Sequence, residues 1–437
     1  MRNRIKSRKE ILGEIGTFFL IVALLVAVSG CGKKTSQSRK IRIRVSYHGD
    51  IHEMKIMQQL IKEFNETHSE IKMIGEHTQG GRTYMSKLLT QIASRTVPDI
   101  IFAGTGSFPS LRDKDAFLNL TPFIEKDEGF DINDYFPKSL APFRDNGKLF
   151  VISRDVQPII VFYNKKIFRE NNIPYPTDDW DWNDYLDIAR KLTIKENGRI
   201  KRYGAAVYIP AWLYCNGGHY VDNLQNPTRC TLDEPEAVEA LRFCFDMMLE
   251  YKAAPSVQTI RRLGMGPAVM FTSGKLAMFA GGQWYVPALR KVKDLEWDVV
   301  MIPKSPRGRR GWPGGVGGHG ISSTTKHPEE AWEVLKWVVG EPLQTKYVKA
   351  GMIQPAMKSI AEGQYYLKSD IAPANKKSIL EAIDYIVEPP LFAEWQEIHE
   401  LIIWPELELM MAGKRSLEEG IRNMVSKTNN FLEEMNK

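Results

Sequence analysis

The chain predicts an α/β fold with parallel strands, on three observations. From residue 41 onward, short strand-like runs alternate with amphipathic helical stretches. One run, Pro98-Asp-Ile-Ile-Phe102, is nearly continuous in apolar residues, as a strand covered on both faces of a parallel sheet must be. Finally, 437 residues with 43% hydrophobic and 26% charged content are ordinary globular composition and enough chain for two or three domains.

The elements follow in order. Ile41, Ile43 and Val45 alternate with Arg42, Arg44 and Ser46 and predict a first strand. Met57, Leu60, Ile61 and Phe64 mark an amphipathic helix. Residues 71–74 are a second strand, and 84–94 a helix with Met85, Leu88, Leu89 and Ile92 on one face. The third strand, 98–102, runs into a loop at 103–107. Residues 156–163, with four bulky apolar residues in a row, predict one strong strand. Asp178-Asp-Trp-Asp-Trp-Asn183 is cap chemistry opening a helix to Leu192; it lacks the glycine and ligand spacing of a calcium loop. Asp233-Glu-Pro-Glu236 resembles a capping box before a helix to Tyr251. On it Ala237, Leu241, Cys244 and Met248 share a face, which makes Cys244 a buried thiol. Strands follow at 276–279, ending in Gly281-Gly-Gln-Trp284, and at 297–302. Pro328 suits the first turn of a helix to Val339. Ser416 and Glu419 cap the last helix, with Ile421, Met424, Thr428 and Phe431 inward.

The N-terminus predicts where the chain works. Arg2, Arg4, Lys6, Arg8 and Lys9 precede an uncharged run of 16 residues, Ile15 to Gly30. That is short of the roughly 20 residues a spanning helix needs and has the order of a secretory signal. Val28-Ser-Gly-Cys31 resembles a bacterial lipobox, in which Cys31 takes a diacylglycerol and becomes the first mature residue. Residues 1–30 are therefore expected to be a lipoprotein signal peptide and 31–40 a flexible polar tether. Of the formal +6 charge, about half belongs to the signal region, and the remainder is too small to imply nucleic acid. Past Cys31 the cysteines are Cys215, Cys230 and Cys244. Cys215 and Cys230 are candidates for a disulfide, whose geometry sequence does not fix. No cysteine–histidine spacing points to a metal.

Enzyme signatures are missing or misplaced. Gly315-Val-Gly-Gly-His-Gly320 fits the letters of a dinucleotide loop, but Ser322-Ser-Thr-Thr325 intervenes before any helix. A glycine-rich loop where backbone nears a ligand or another lobe fits better. The chain carries no P-loop, H-E-x-x-H or G-x-S-x-G, and its many carboxylates show no outstanding pair. What stands out is tryptophan beside glycine or at element ends: Trp212, Trp284, Trp312 and Trp395. Aromatic faces with a few placed polar groups suit sugar rings. Trp180, Trp182, Trp332 and Trp337 read as packing residues.

Ten segments then fall in a familiar order. They are Tyr84-Met-Ser-Lys-Leu88 through Val97-Pro-Asp-Ile-Ile101, Asp145-Asn-Gly-Lys148 through Phe162-Tyr-Asn-Lys165, Asp181-Trp182 through Ala189-Arg-Lys-Leu192, Asn216-Gly-Gly218, and Asp233 to Leu241. Phe271 to Phe279 with Gly282-Gln-Trp284, Ile302-Pro303, Gly320-Ile-Ser322, Lys326 to Trp332, and Gly351 to Pro355 complete the set. Each is weak alone; in sequence they resemble the family 1 extracellular solute-binding proteins of ATP-driven importers, which include maltose- and oligosaccharide-binding lipoproteins.

The resemblance implies a two-lobed periplasmic-binding-protein-like fold of type II, both lobes discontinuous, with hinge crossings between them. Lobe 1 is expected at 41–152 plus 303–360, and lobe 2 at 153–302 plus 361–437. Ligands of open α/β sheets sit at strand ends, and this promotes particular residues. Trp284 matches the family's stacking tryptophan, and Trp395 a late stacking aromatic. Tyr47, His48 and Asp50 follow strand one, and Thr105 and Ser107 strand three. Gln157 falls where some sugar binders carry Glu, which disfavours a cationic ligand; Asp155 lies close by. Trp212, Trp312, Gly315 and Arg82 complete the candidate set. Asp99 is expected to be structural.

The implied function is a lipid-anchored, monomeric receptor that closes on a carbohydrate, foremost an oligosaccharide, and hands it to two permease subunits served by a separate ATPase. The membrane is reached through Cys31, with no cofactor, metal or catalytic residue. The rivals are a secreted glycan hydrolase or lyase, a sensory co-receptor of the same fold, and a binder of anionic solutes, for which Arg82, Arg154 and the Arg307–Arg310 cluster speak.

Overall fold

The computed structural model describes residues 40–367 and 370–435. The expected signal peptide, Cys31 and the tether up to residue 39 lie outside the described residues. Among the described residues no helix is long and apolar enough to cross a membrane.

Two five-stranded sheets organise the chain. The first contains β1 (Ile41–His48), β2 (Ile71–Thr78), β3 (Ile100–Gly104), β4 (Ile152–Gln157) and, from far along the chain, Gly315–Ile321. The second contains β5 (Ile160–Asn164), β6 (Ile194–Glu196), β7 (Arg199–Ala206), β8 (Leu276–Gly281) and β9 (Trp297–Val300). The late strand of the first sheet is thus β10, and the orders are β2-β1-β3-β10-β4 and β9-β5-β8-β7-β6. Each sheet is the centre of one lobe, and the first is discontinuous in sequence. The sheets are mixed, which corrects the expected parallel arrangement. β1 runs parallel to β3, with Val45 opposite Ile100, and β7 parallel to β8. β10 is antiparallel to both β3 and β4, and β5 to both β8 and β9.

The run expected as one strand at 156–163 is two, divided at Pro158-Ile159. Proline gives no N–H to a ladder and sits poorly inside a buried strand. Here it marks the passage of the chain from one sheet to the other. A second passage, residues 301–314, returns from β9 to β10.

The glycine-rich segment expected as a loop is β10, a central strand. Its glycines answer to crowding across the sheet. A Cβ on Gly318 would lie 2.2 Å from the Ile152 carbonyl oxygen, and one on Gly320 2.4 Å from that of Phe150. The ladder to β4 shifts register between Gly317 and Gly318, the local kink of a bulge.

The helices follow their apolar faces. Ile51–Thr67 buries Met57, Leu60 and Phe64, each worth roughly 1.5–3 kcal/mol of burial. Trp182–Leu192 starts in a reciprocal capping box between Asp181 and Asp184, and Pro328–Val339 has the predicted bounds. Helix Pro235–Leu249 buries Ala237, Leu241, Cys244 and Met248 as the periodicity requires, but has no side-chain cap. The expected capping box there is absent because the N-cap is Glu234, one residue past Asp233, which puts Glu236 out of the N3 position; Glu236 pairs with Arg307 instead. In the last helix, Leu417–Met435, Ser416 Oγ accepts the Glu419 N–H, and Leu432 rather than Phe431 is the buried residue. Cys215, Cys230 and Cys244 are all free buried thiols, so Cys215 and Cys230 are not bridged.

Candidate functional site

A cleft of about 950 Å³ opens between the lobes. From the first sheet it takes the ends of β1, β3 and β4 and the start of β10. From the second it takes the turn after β8 and the short helix Val286–Arg290. Apart from β10, which runs antiparallel and enters by its start, these elements reach the cleft at the C-terminal side of their strands, where an α/β sheet offers unpaired backbone and helix starts to a ligand.

The floor is a buried ion network. Arg154, on β4, donates to Glu53 Oε1 at 3.0 Å, Asp155 Oδ2 at 3.3 Å and the Tyr347 hydroxyl at 3.0 Å. Its guanidinium lies 4.8 Å from the Phe102 ring centre and 5.0 Å from that of Tyr347. Asp155 also accepts the Gly317 N–H at 3.1 Å, tying β4 to β10. Burial pushes the Asp155 carboxyl above the usual range, against the pull of Arg154. His48, at the end of β1, is pushed down by burial and then by Arg154. Asp50 accepts the N–H groups of His52 and Glu53 at 2.7 and 3.0 Å. It caps the helix and so positions Glu53 toward Arg154. Across the cleft, Lys291 Nζ lies 3.0 Å from His52 Nε2.

Two groups face the cleft with capacity to spare. Trp284 is 50% exposed and lines it beside Pro287 and Ala288. Its ring lies back over Gly282, where a Cβ would come within 2.0 Å of ring carbon Cζ3; glycine is required for this pose. Gln157, at the end of β4, is buried, and its Oε1 has no hydrogen-bond partner. An unpaired buried carbonyl costs about 1–3 kcal/mol, which a ligand hydroxyl would recover.

Of the candidates named from sequence, His48, Asp50, Asp155, Gln157, Trp284 and Gly315 line the cleft together. The others are placed elsewhere. Trp212 is not in a loop: it lies in helix Ile209–Cys215, fully buried among Trp182, Tyr185 and Phe243. Trp312 is likewise fully buried, in a two-residue ladder with Ile386-Val387. Tyr47 is buried and does not line the cleft, its ring 5.4 Å from His77. Thr105 is buried and bonded to the Val316 backbone, and Ser107 turns back on Gly104. Arg82 is exposed on helix Gly81–Ala93, and Trp395 rests on Tyr220 and His399, both outside the cleft lining. The arginine cluster is structural: Arg307 pairs with Glu236 and Glu239, and Arg310 donates to the Ile302 and Asp178 carbonyls.

Sequence reasoning left Glu53, Phe102, Arg290, Lys291, Met352 and Ile353 out of the candidate set, although they line the cleft. Arg154 was singled out only as a cation; its partner Glu53 stands 101 residues away and leaves no local trace.

Two α/β lobes around a cleft at their strand ends define a two-lobed binding protein. Residues 48–345 match the family described as bacterial extracellular solute-binding protein, and the chain belongs to that family. A putative binding protein of Brucella abortus is 22% identical over 321 residues, covering 72% of this chain and 75% of the relative. The galactooligosaccharide-binding protein of Bacillus subtilis is 23% identical over 57% of this chain and 58% of its own length. Among solved structures, the ABC substrate-binding protein Lmo0181 of Listeria monocytogenes, in complex with cycloalternan, superposes with a TM-score of 0.79. The identity is 25%, covering 90% of this chain and 99% of that one. The sugar-binding protein MalE of Xanthomonas citri gives 0.77 at 18% identity, over 90% and 98% of the two chains.

Proposed function

We propose that this chain is the extracytoplasmic receptor of an ABC importer and takes an oligosaccharide in the interlobe cleft. The observation that carries the reading is Trp284: a large aromatic, half exposed, held over a glycine turn at a cleft that also offers the unpaired Gln157 Oε1. A sugar ring buries its C–H face on the indole while its hydroxyls find a few fixed polar groups. His48, Asp155, Gln157 and the Gly315 backbone supply those groups from lobe 1. The names of relatives agree, among them galactooligosaccharide-, maltotriose- and arabinooligosaccharide-binding proteins.

A binding role also suits the carboxylates. Glu53 and Asp155 are committed to Arg154, and Asp50 to a helix cap, which supports holding a ligand rather than hydrolysing it. Closure follows from a ligand that touches both lobes and so favours the closed state over the open one. We assign lobe 1 to about 41–157 plus 303–360, its first boundary moved from 152 to the break at Pro158 so that β4 stays with its sheet, and lobe 2 to about 158–302 plus 361–437. Delivery goes to two permease subunits and a separate ATPase. Cys31, lipidated, would hold the receptor near them and raise its effective concentration; mass spectrometry of the mature N-terminus checks this, and an unmodified Cys31 would contradict it.

The test is a thermal-shift screen of the mature protein against mono- and oligosaccharides. A specific sugar raises Tm by mass action. Trp284→Ala is expected to weaken that sugar at least about tenfold, or roughly 1.4 kcal/mol, with the apo Tm unchanged. An unaltered affinity removes Trp284 from the site.

A further inference from the structure

Beside the cleft lies a second, smaller cavity of about 160 Å³, close to the share of five liquid waters. Arg290 and Ile353 line both spaces, so the chamber adjoins the cleft on the Trp284 side. Among the described residues, three cations, Arg290, Lys349 and Lys376, line it, and no carboxylate does. Gln283 closes it through its bond to the Tyr366 hydroxyl.

Arg290 is fixed in place without a counter-charge. Its Nε donates to the Ala372 carbonyl at 2.7 Å, and its Nη1 rests against Gly351, where a Cβ would come within 1.8 Å. Among the described residues no carboxylate forms an ion pair with it. Burial accordingly pushes its pKa down. Lys376 is lowered by burial and then by Arg290, with Asp298 and Asp370 pulling the other way. Lys349 stands 4.0 Å over the Tyr365 ring. Lys291 adds positive charge to the adjoining cleft wall. A half-buried guanidinium with its fork unmatched is costly alone and suits a planar or tetrahedral oxyanion, which it can meet with two N–H bonds.

We propose that this chamber is an oxyanion subsite with Arg290 as its anchor, occupied by an acidic group of the glycan stacked on Trp284 or by a free phosphate-like ion. In the first form it rests on the oligosaccharide reading and deepens it, from neutral to acidic glycans. The subsite differs from the arginines named from sequence, which are paired internally or lie outside the cleft.

The probes are inorganic phosphate, maltotriose, galactotriose and the C6-oxidised, carboxylate-bearing forms of both trisaccharides, at constant ionic strength, on the mature chain. Calorimetry and thermal shift are read for wild type, Arg290→Gln and Lys349→Gln; the last touches only the chamber and keeps the test open if Arg290→Gln misfolds. An oxidised trisaccharide at least tenfold tighter than its neutral parent, with the advantage lost in the variants, supports the subsite with a glycan acid as occupant. A rise of about 2 °C with phosphate alone, abolished in the variants, supports it with a free ion. If phosphate has no effect and oxidised and neutral forms bind alike, the subsite is overturned while the sugar reading stands. If phosphate acts and the wider sugar screen yields no ligand, the subsite stands and the sugar reading fails.

Discussion

At the scale of the residue, Arg154 and His319 show what lies beneath the cleft. Arg154 is buried with Glu53 and Asp155 on either side. Removing one member of such a group leaves charges without partners, which costs far more than the group itself contributes. Arg154→Leu should therefore destabilise the fold by about 3–5 kcal/mol, measured by urea unfolding; a loss below 1 kcal/mol would mean the carboxylates are solvated or protonated instead. His319, on β10, is fully buried, and neither ring nitrogen has a partner. Burial holds its pKa well below the ordinary value, so the unfolded chain binds the proton more readily. The neutral ring's contribution is complete above the unfolded pKa, about 6.5, and is lost as pH falls below it. His319→Leu removes this dependence: relative to wild type, the variant should gain stability progressively as pH drops from 7 to 5, and parallel curves would refute it. Sequence marked Arg154 only as a cation that could favour an anionic solute, and His319 not at all. Arg154 reads as any strand arginine until the fold brings Glu53 from a distant helix, and His319 hides in a run of glycines.

Elements were legible where a local rule decided them. The cap at Asp181, the proline start at Pro328 and the apolar face around Cys244 all depend on neighbours within one or two turns. The misses came where the tertiary surroundings decided. The glycines of β10 suggested a loop, yet they serve a strand squeezed between two neighbours. Gly318→Ala should cost about 1–3 kcal/mol through the clash with the Ile152 carbonyl. Gly106→Ala, in open space, should be close to neutral; equal effects would argue against crowding as the reason for glycine. The run 156–163 was ambiguous for a different reason. Its apolar residues are those of a strand, but Pro158 already carried the sign of a break, and the break is where the chain leaves one lobe for the other. Tryptophan beside glycine proved a poor guide by itself: Trp284 reaches the cleft, while Trp212 and Trp312 fill cores. What separates them is the turn after β8, which holds the Trp284 ring over Gly282 instead of letting it enter a hydrophobic interior.

On the scale of the whole molecule, the order of segments carried more than any motif. Ten weak matches in sequence anticipated the two-lobed architecture that the sheets display and the family match supports. The site was half legible: the strand-end rule found the lobe 1 wall through His48, Asp50, Asp155 and Gln157, but Arg290, Lys291 and Met352 come from turns and a short helix with no pattern to mark them. The molecule that results keeps its charges paired on the floor of the cleft and leaves an aromatic face and a cationic chamber on the opposite wall. The central claim is that this cleft holds a sugar on Trp284. A crystal structure of the mature chain with the tightest sugar from the screen tests it most directly. The predicted result is a sugar ring stacked on the Trp284 indole with a hydroxyl donating to Gln157 Oε1; a sugar bound elsewhere, or a cleft filled without contact to Trp284, would contradict it.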